Sequence, residues 1–250
     1  MSTQSVVNAI HVIEAISNFQ PVGLSELART LEQPKATVLR ALRTLEELGW
    51  VEQSEAPASH WSLTYHAYAV AARTGMRQNI RDLALAPMSA LQEETSETIH
   101  LCVPDARNMV VVERLDSSHT LRAFIALGTA LQMHASGTGL AFLSASDPKF
   151  IDEYLSGPLE ARTSSSLTSP AKIRDELQAI RERGYSINVD GRSEGITSLG
   201  AAICDRSGAP IGSVSISGPT SRITESHFEE YGESLVQTAK MITNRLSGTH

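Results

Sequence analysis

Little in this sequence marks a secreted, membrane-spanning or disulfide-built protein. Of its 250 residues only two are cysteine, Cys102 and Cys204. Two are too few for a disulfide framework and fit a reducing compartment. No stretch approaches the ~18 consecutive apolar residues of a membrane span. The opening MSTQSVVNAIHVIEAI lacks the basic region and small-residue cleavage site of a signal peptide, so no membrane partner and a cytoplasmic location are expected. Positive charge is not in excess either. The net charge of −7 argues against a protein that coats nucleic acid with its whole surface. That deficit is uneven: residues 1–79 hold 6 Lys+Arg against 7 Asp+Glu, and residues 80–250 hold 15 against 21. The first part is near neutral, and its cations can still gather on one face.

Catalytic signatures are also missing. There is no Walker motif, no dinucleotide fingerprint and no G-x-S-x-G elbow. His100 and Cys102 alternate along one segment, but two ligands do not make a zinc site; a buried cysteine beside a partly exposed histidine is the plainer expectation. No metal, no cofactor and no catalytic residue are therefore expected. Internal repeats and low-complexity runs are absent as well.

A soluble, globular composition is what remains, with 41% hydrophobic and 20% charged residues. Residues 5–17 place Val6, Ala9, Ile10, Ile13 and Ile16 on one helical stripe. NFQPVG breaks that helix, and Ser25 is the expected N-cap of a short second one. A third helix is expected over about 35–48, stopped by Gly49. WVEQ and HWSL then read as two short strands about a loop. Helices this short are unstable alone and are expected to bury Ile10, Ile13, Leu24, Leu27, Val38, Leu42 and Leu45 together. Three helices and a hairpin make a winged helix-turn-helix over residues 1–63.

Residues 64–79 are alanine-rich and read as a linker helix, whose small residues Ala67, Val70, Ala71 and Thr74 suit a contact with a second subunit. Residues 80–250 mix both periods. A helix carries Pro87, which either kinks or divides it. ETIHLCVP and MVVVERL are strands about the turn DARN, and TLRAFIAL is expected as a third. Helices follow over HASGTGLAFLSAS, from Asp147–Pro148, and from Ser169–Pro170 to Gly184. Two strands then flank the turn Asp205–Gly208, and Thr224 caps a last helix to about Leu246. The fold class expected is α+β.

Five stretches together resemble the IclR family of bacterial transcriptional regulators: LSELARTLEQPKATVLRALRTLEELGWV (24–51), LQEETSETIHLCV (91–103), LQMHASGTG (131–139), IRERGYSI (180–187) and SVSISGPTSRIT (213–224). They occur in order, nearly end to end. The resemblance implies an N-terminal winged helix-turn-helix, a linker helix and a C-terminal GAF-like effector-binding domain. It also implies homodimers or dimers of dimers on double-stranded operator DNA, and a response to small organic acids.

On the third helix, Val38, Leu42 and Leu45 are expected to face inward, which leaves Lys35, Ala36, Thr37, Leu39, Arg40, Arg43 and Thr44 as candidate DNA contacts. Such a helix enters the groove by its N-terminal end. Arg40 is placed for a bidentate guanine contact and Arg43 for phosphate. The plain alternative is a solvated polar face on a core helix. Relatives usually carry an aromatic residue or histidine where Leu39 stands, and the segment EQSEAPASH lacks their usual arginines. A wing bearing Glu52 and Glu55 implies a shallow salt dependence of operator binding. A degenerate helix-turn-helix on a sensor that binds no DNA is the rival reading.

For the C-terminal domain, SGTG opens a helix whose backbone N–H groups favour a carboxylate. The resemblance points to Ser136, Gly137, Thr138, Gly139, Asn188, Ser198, Ser215 and Ser217 as effector-binding residues. Capping and ordinary strand polarity are the plain alternatives. Family members often carry Asp at 188, Glu at 191 and Cys at 198; Asn188, Gly191 and Ser198 stand there instead, which removes negative charge and leaves room at 191. The expected ligand is a small organic acid, aromatic carboxylates among them, with Asp190 and Glu194 nearby. A hydrolase acting through Ser136 and His134 is the least favoured alternative.

Overall fold

The computed structural model describes residues 3–54, 59–75 and 80–248. The chain divides into two compact units, Met1–Gln78 and Asn79–His250.

In the first unit, α1 (Gln4–Phe19), α2 (Leu24–Thr30) and α3 (Lys35–Glu47) pack on a small sheet of β1 (Val22–Gly23), β2 (Val51–Gln53) and β3 (His60–Leu63). The strand order is β1-β3-β2, antiparallel, with Val22 opposite Trp61 and Val51 opposite Leu63. Val38, Leu42 and Leu45 of α3 bury against Val12 and Ile16 of α1, Leu27 of α2, and Trp61. Gly49 ends α3 at φ +75. Its N–H donates to Glu46 O, and that of Trp50 reaches back to Leu45 O at 2.8 Å, a six-to-one closure that favours glycine at the left-handed position.

Two expectations fail here. The α1 stripe is partly turned: Val6 is 59% exposed and Ile10 48%, Val12 and Ala15 take their place in the core, and Ile16 and Ile13 keep the expected side. The helix is apolar on two faces, so its period alone does not choose between them. Ser25 is not the N-cap of α2. Strand β1 pairs with β3 and feeds the chain directly into a helix that starts at Leu24, with Gly23 in the capping position. The linker helix is α4 (Tyr65–Gly75). Its expected extension over 76–79 lies outside the described residues, as does the part of the wing that holds Glu55.

The second unit is built on a six-stranded antiparallel sheet, β6-β5-β4-β9-β8-β7. Its strands are β4 (Thr98–Asp105), β5 (Asn108–Leu115), β6 (Ala130–Gln132), β7 (Ser186–Val189), β8 (Ile196–Cys204) and β9 (Pro210–Pro219). One face is dry. Ile99, Leu101, Leu199, Ile203, Val214 and Ile216 pack on α5 (Ile80–Thr95) and α9 (Phe228–Gly248). Helix α5 runs unbroken through the buried Pro87. The other face carries α6 (Gly137–Ala145), α7 (Pro148–Ser156) and α8 (Pro170–Arg183) over Met109, Val111, Met133, Leu140 and Leu143. Asp147 caps α7, its side chain accepting from Lys149 N, and Gly184 ends α8 in the left-handed region. Thr224 precedes a 3-10 turn, Glu225–His227, and the last helix begins after it.

The expected strand TLRAFIAL does not form; β6 lies further on. Residues 117–129 instead cross the second face as an irregular strap. Three of its carbonyls are taken by side chains, and only at its end does Thr129 O accept from Val111 N of β5. Thr98 Oγ1 donates to Ala123 O (3.0 Å), Arg114 Nη1 to Ile125 O (2.8 Å) and Arg222 Nη2 to Leu121 O (3.1 Å).

Candidate functional site

The two units carry separate candidate sites. In the first unit, Pro34 holds an extended conformation that starts α3 at Lys35. The preceding turn is tight because α2 closes on itself, Gln33 N donating to Ala28 O (3.0 Å) with Glu32 at φ 51. With Val38, Leu42 and Leu45 buried, Lys35, Ala36, Leu39, Arg40, Arg43 and Thr44 are exposed and Thr37 is half-buried. The outer surface has two edges. Thr37, Arg40 and Thr44 border a broad groove against α1, whose wall includes Val6, Ile10 and Ile13. Arg43 lies on the other edge, toward the β2–β3 hairpin. Its Nη1 donates to Glu46 Oε2 (2.7 Å) and Gln53 Oε1 (3.2 Å), and its guanidinium lies over Trp61. Among the described residues, no carboxylate pairs with Lys35 or Arg40. Two free cations thus sit on α3, while the charge of Arg43 is already shared.

The second unit sets a polar surface on the half of its sheet opposite the dry core. Strand alternation puts Val214 and Ile216 on one side and Ser213, Ser215 and Ser217 on the other. The register aligns Asn188, Ser198 and Ser217 in one row across β7, β8 and β9. The next row holds Ser186, Gly200, Ser215, His100 and Arg114. Above the first row is a cavity of about 60 Å³, floored by Asn188, Ser198 and Ser217 and walled by Ala123–Ile125 of the strap and by Arg192 and Ser193. Its floor side chains make no hydrogen bond within the protein among the described residues. The position of Gly191 is not open space: a Cβ there would lie 2.5 Å from Asn188 Nδ2.

Of the eight expected effector residues, Asn188, Ser198 and Ser217 line this cavity; the other five stand behind it. Ser136 Oγ donates to Gln132 O and accepts from Gly139 N, so it caps α6. Thr138 is buried on that first turn and Ser215 sits one row along the sheet. Gly137 O accepts from Ser186 Oγ (2.7 Å), and Gly139 allows α6 to start against the Met133 backbone. His134 is also occupied: its Nδ1 meets Tyr154 Oη (2.7 Å) and its Nε2 meets Glu160 O (3.0 Å). Ser136 and His134 therefore make no nucleophile–base bond.

The partly exposed histidine expected at 100 is fully buried. His100 is 1% exposed, and neither ring nitrogen has a partner. Burial first, then Arg114 and Arg192, press its pKa down to about 3. Burial likewise raises the Cys102 thiol to about 12, so it is an inert thiol at neutral pH. Arg192 was not among the expected site residues. The available signal was its place as a lone cation in the loop VDGRSEG. Asp190, at φ 58, spends its carboxylate on Gly195 N and Thr220 Oγ1. Among the described residues, no group of three or more His, Cys, Asp or Glu is arranged to hold a metal ion.

Both halves of the chain have known counterparts. Residues 5–55 match the IclR helix-turn-helix domain, and residues 72–244 match the C-terminal domain of bacterial transcriptional regulator IclR. The chain is 31% identical over 249 residues to the transcriptional repressor IclR of Escherichia coli K12, covering 98% of this chain and 90% of that protein. It is 31% identical over 250 residues to the acetate operon repressor of Salmonella typhimurium, with 98% and 91% covered. The IclR of Thermotoga maritima superposes with a TM-score of 0.82 at 26% identity, over 97% of this chain and 98% of that one. An IclR homologue from Microbacterium hydrocarbonoxydans, solved in complex with 4-hydroxybenzoate, shares the fold with a TM-score of 0.84 at 22% identity, over 98% and 100%.

Proposed function

The chain belongs to the IclR family of bacterial transcriptional regulators, and from that premise we propose that α3 reads double-stranded operator DNA while the cavity on the second unit's sheet binds a small organic acid that modulates the reading. The observation that carries the first half is the pair of exposed, unpaired cations Lys35 and Arg40 on α3. Arg40 meets a base edge, and Lys35, Ala36 and Thr37 approach the backbone at the helix's entering end. Leu39 adds an apolar touch, Thr44 a hydroxyl at the groove edge and Arg43 a shared charge. Two such helices are needed for a pseudo-palindromic site, so the working unit is a homodimer or a dimer of dimers.

The second half rests on a buried row of polar side chains with unused hydrogen-bonding capacity. The fold-mate solved with 4-hydroxybenzoate supports a carboxylic acid as ligand class. Asn188, Ser198 and Ser217 contact the ligand; Ser136, Gly137, Thr138, Gly139 and Ser215 hold that floor in place. A ligand changes operator binding only by its difference in affinity for the two orientations of the reading heads. No residue of this reading acts as a catalyst.

A gel-shift titration of the gene's own upstream duplex tests it. The wild-type protein shifts the duplex, and Arg40→Ala weakens binding by roughly 5- to 150-fold, the equivalent of about 1–3 kcal/mol. No shift by the wild type, or an unaltered Arg40→Ala, sinks the proposal.

A further inference from the structure

Arg192 and His100 are two groups of the second unit whose hydrogen-bonding capacity the fold leaves almost unused. Arg192 walls the cavity, half-buried. Its one side-chain hydrogen bond is a long 3.5 Å contact to the neighbouring Ser193. No carboxylate pairs with it among the described residues. Burial and the nearby charge of Arg162 both work against its own charge. His100 lies one row along the same polar face, opposite Ser215 and Arg114. Both of its nitrogens are without partners, as is Ser213 Oγ beyond it. Arg192 is close enough to His100 and Cys102 to act on both electrostatically. A half-buried guanidinium without an anion, on the wall of a cavity, is costly. A bound anion removes that cost.

We infer that Arg192 sets the specificity of this effector site by receiving the ligand's carboxylate at the cavity wall. That role rests on the effector reading of the cavity and adds a residue which that reading does not use. The cavity is small, about 60 Å³ against the roughly 300–1,000 Å³ of sites for drug-sized ligands, so three-carbon acids are the first candidates and benzoate is the larger comparison.

The test uses the full-length protein and three acid–amide pairs: propionate and propionamide, lactate and lactamide, benzoate and benzamide. Binding is read by calorimetry and by thermal shift, since a ligand of the folded state must raise its melting temperature. The wild type binds the three-carbon acids and not their amides. Arg192→Met loses about tenfold to a hundredfold of that affinity, as expected for a charge-assisted contact. Arg192→Lys loses part of it, and serves if the methionine variant does not fold. Amides binding as well as acids, or Arg192→Met binding like the wild type, overturns the inference and leaves the effector reading in place. If no compound binds and a metabolite extract also leaves operator binding unchanged, the effector reading fails with it.

Discussion

Arg43 Nη1 lies 2.7 Å from Glu46 Oε2, one helical turn further along α3. If α3 reads DNA as proposed, this pairing sets how much of its charge is available to phosphate. Arg43 is 54% exposed at its side chain and Glu46 34%, so the pair adds little stability. Its effect is on binding: a guanidinium already shared with a carboxylate and with Gln53 neutralises a phosphate poorly. Glu46→Gln is expected to leave the melting temperature nearly unchanged while tightening operator binding. The plot of log affinity against log salt should steepen by roughly 0.9, one added phosphate contact. An unchanged slope, measured by gel shift between 50 and 200 mM salt, would show that Arg43 does not reach the backbone even when released.

That pairing also marks where the sequence stops being informative. The α3 core residues are legible because a 3.6-residue period with one apolar stripe has a single solution. In α1 there are two apolar stripes, and only packing against Leu27 and Trp61 selects Val12 and Ala15 over Val6 and Ile10. Residues 120–127 read as a strand, but Thr98, Arg114 and Arg222 supply donors from three distant parts of the chain and hold them as a strap. In the second unit, the small and polar residues named from family resemblance fall partly on the rows of β7, β8 and β9 and partly on the first turn of α6, and three of them line the cavity. Arg192 enters it from a loop, which no periodicity locates. The burial of His100 follows from register with β9, a property of the whole sheet.

Burial of His100 has a consequence in acid. Its folded pKa is about 3, against about 6.5 for an exposed histidine. Between these values the unfolded chain holds one more proton than the folded one, so stability rises with pH through that window. The contribution is complete above about pH 6.5 and falls by about 1.4 kcal/mol for each unit of acidification below it. His100→Asn removes this share. Urea unfolding of both proteins at pH 7 and pH 5 is expected to show a smaller acid loss in the variant. Equal losses would mean that His100 is protonated without hindrance, and so is not sealed from water.

Glu97 and Arg222 close the strap's other end, and their ion pair is unevenly buried. Glu97 is 1% exposed at its side chain, whereas Arg222 is 29% exposed. Removing the arginine strands a charge with no route to water, which costs about 3–5 kcal/mol. Removing the glutamate leaves a guanidinium that can turn outward, at about 1–3 kcal/mol. Arg222→Ala is therefore expected to lower the urea midpoint more than Glu97→Ala. The reverse order would contradict the burial of Glu97 beneath the Arg222 guanidinium that holds Leu121 O of the strap.

Gly137 and Ser198 provide the most direct test of how the cavity floor is built. A Cβ on residue 137 would lie 2.7 Å from Ser198 Oγ and 3.1 Å from Ser198 O. The hydroxyl can rotate away, but the carbonyl belongs to β8 and cannot. Gly137→Ala must then push the start of α6 off the sheet by a few tenths of an ångström, and it strains the Ser186 Oγ to Gly137 O bond. Overpacking of this kind costs about 1–3 kcal/mol. Ser198→Ala removes one of the two collisions, so the alanine at 137 should cost less in that background. A double-mutant cycle by urea unfolding is expected to give a coupling of roughly 0.5–3 kcal/mol, the range for residues in contact. Because Ser198 also lines the cavity, Gly137→Ala should weaken carboxylate binding as well, although residue 137 itself does not line that cavity. Strict additivity of the two stabilities would show that α6 and β8 are not in contact at this point, and that the floor does not depend on the close approach of the helix to the strand.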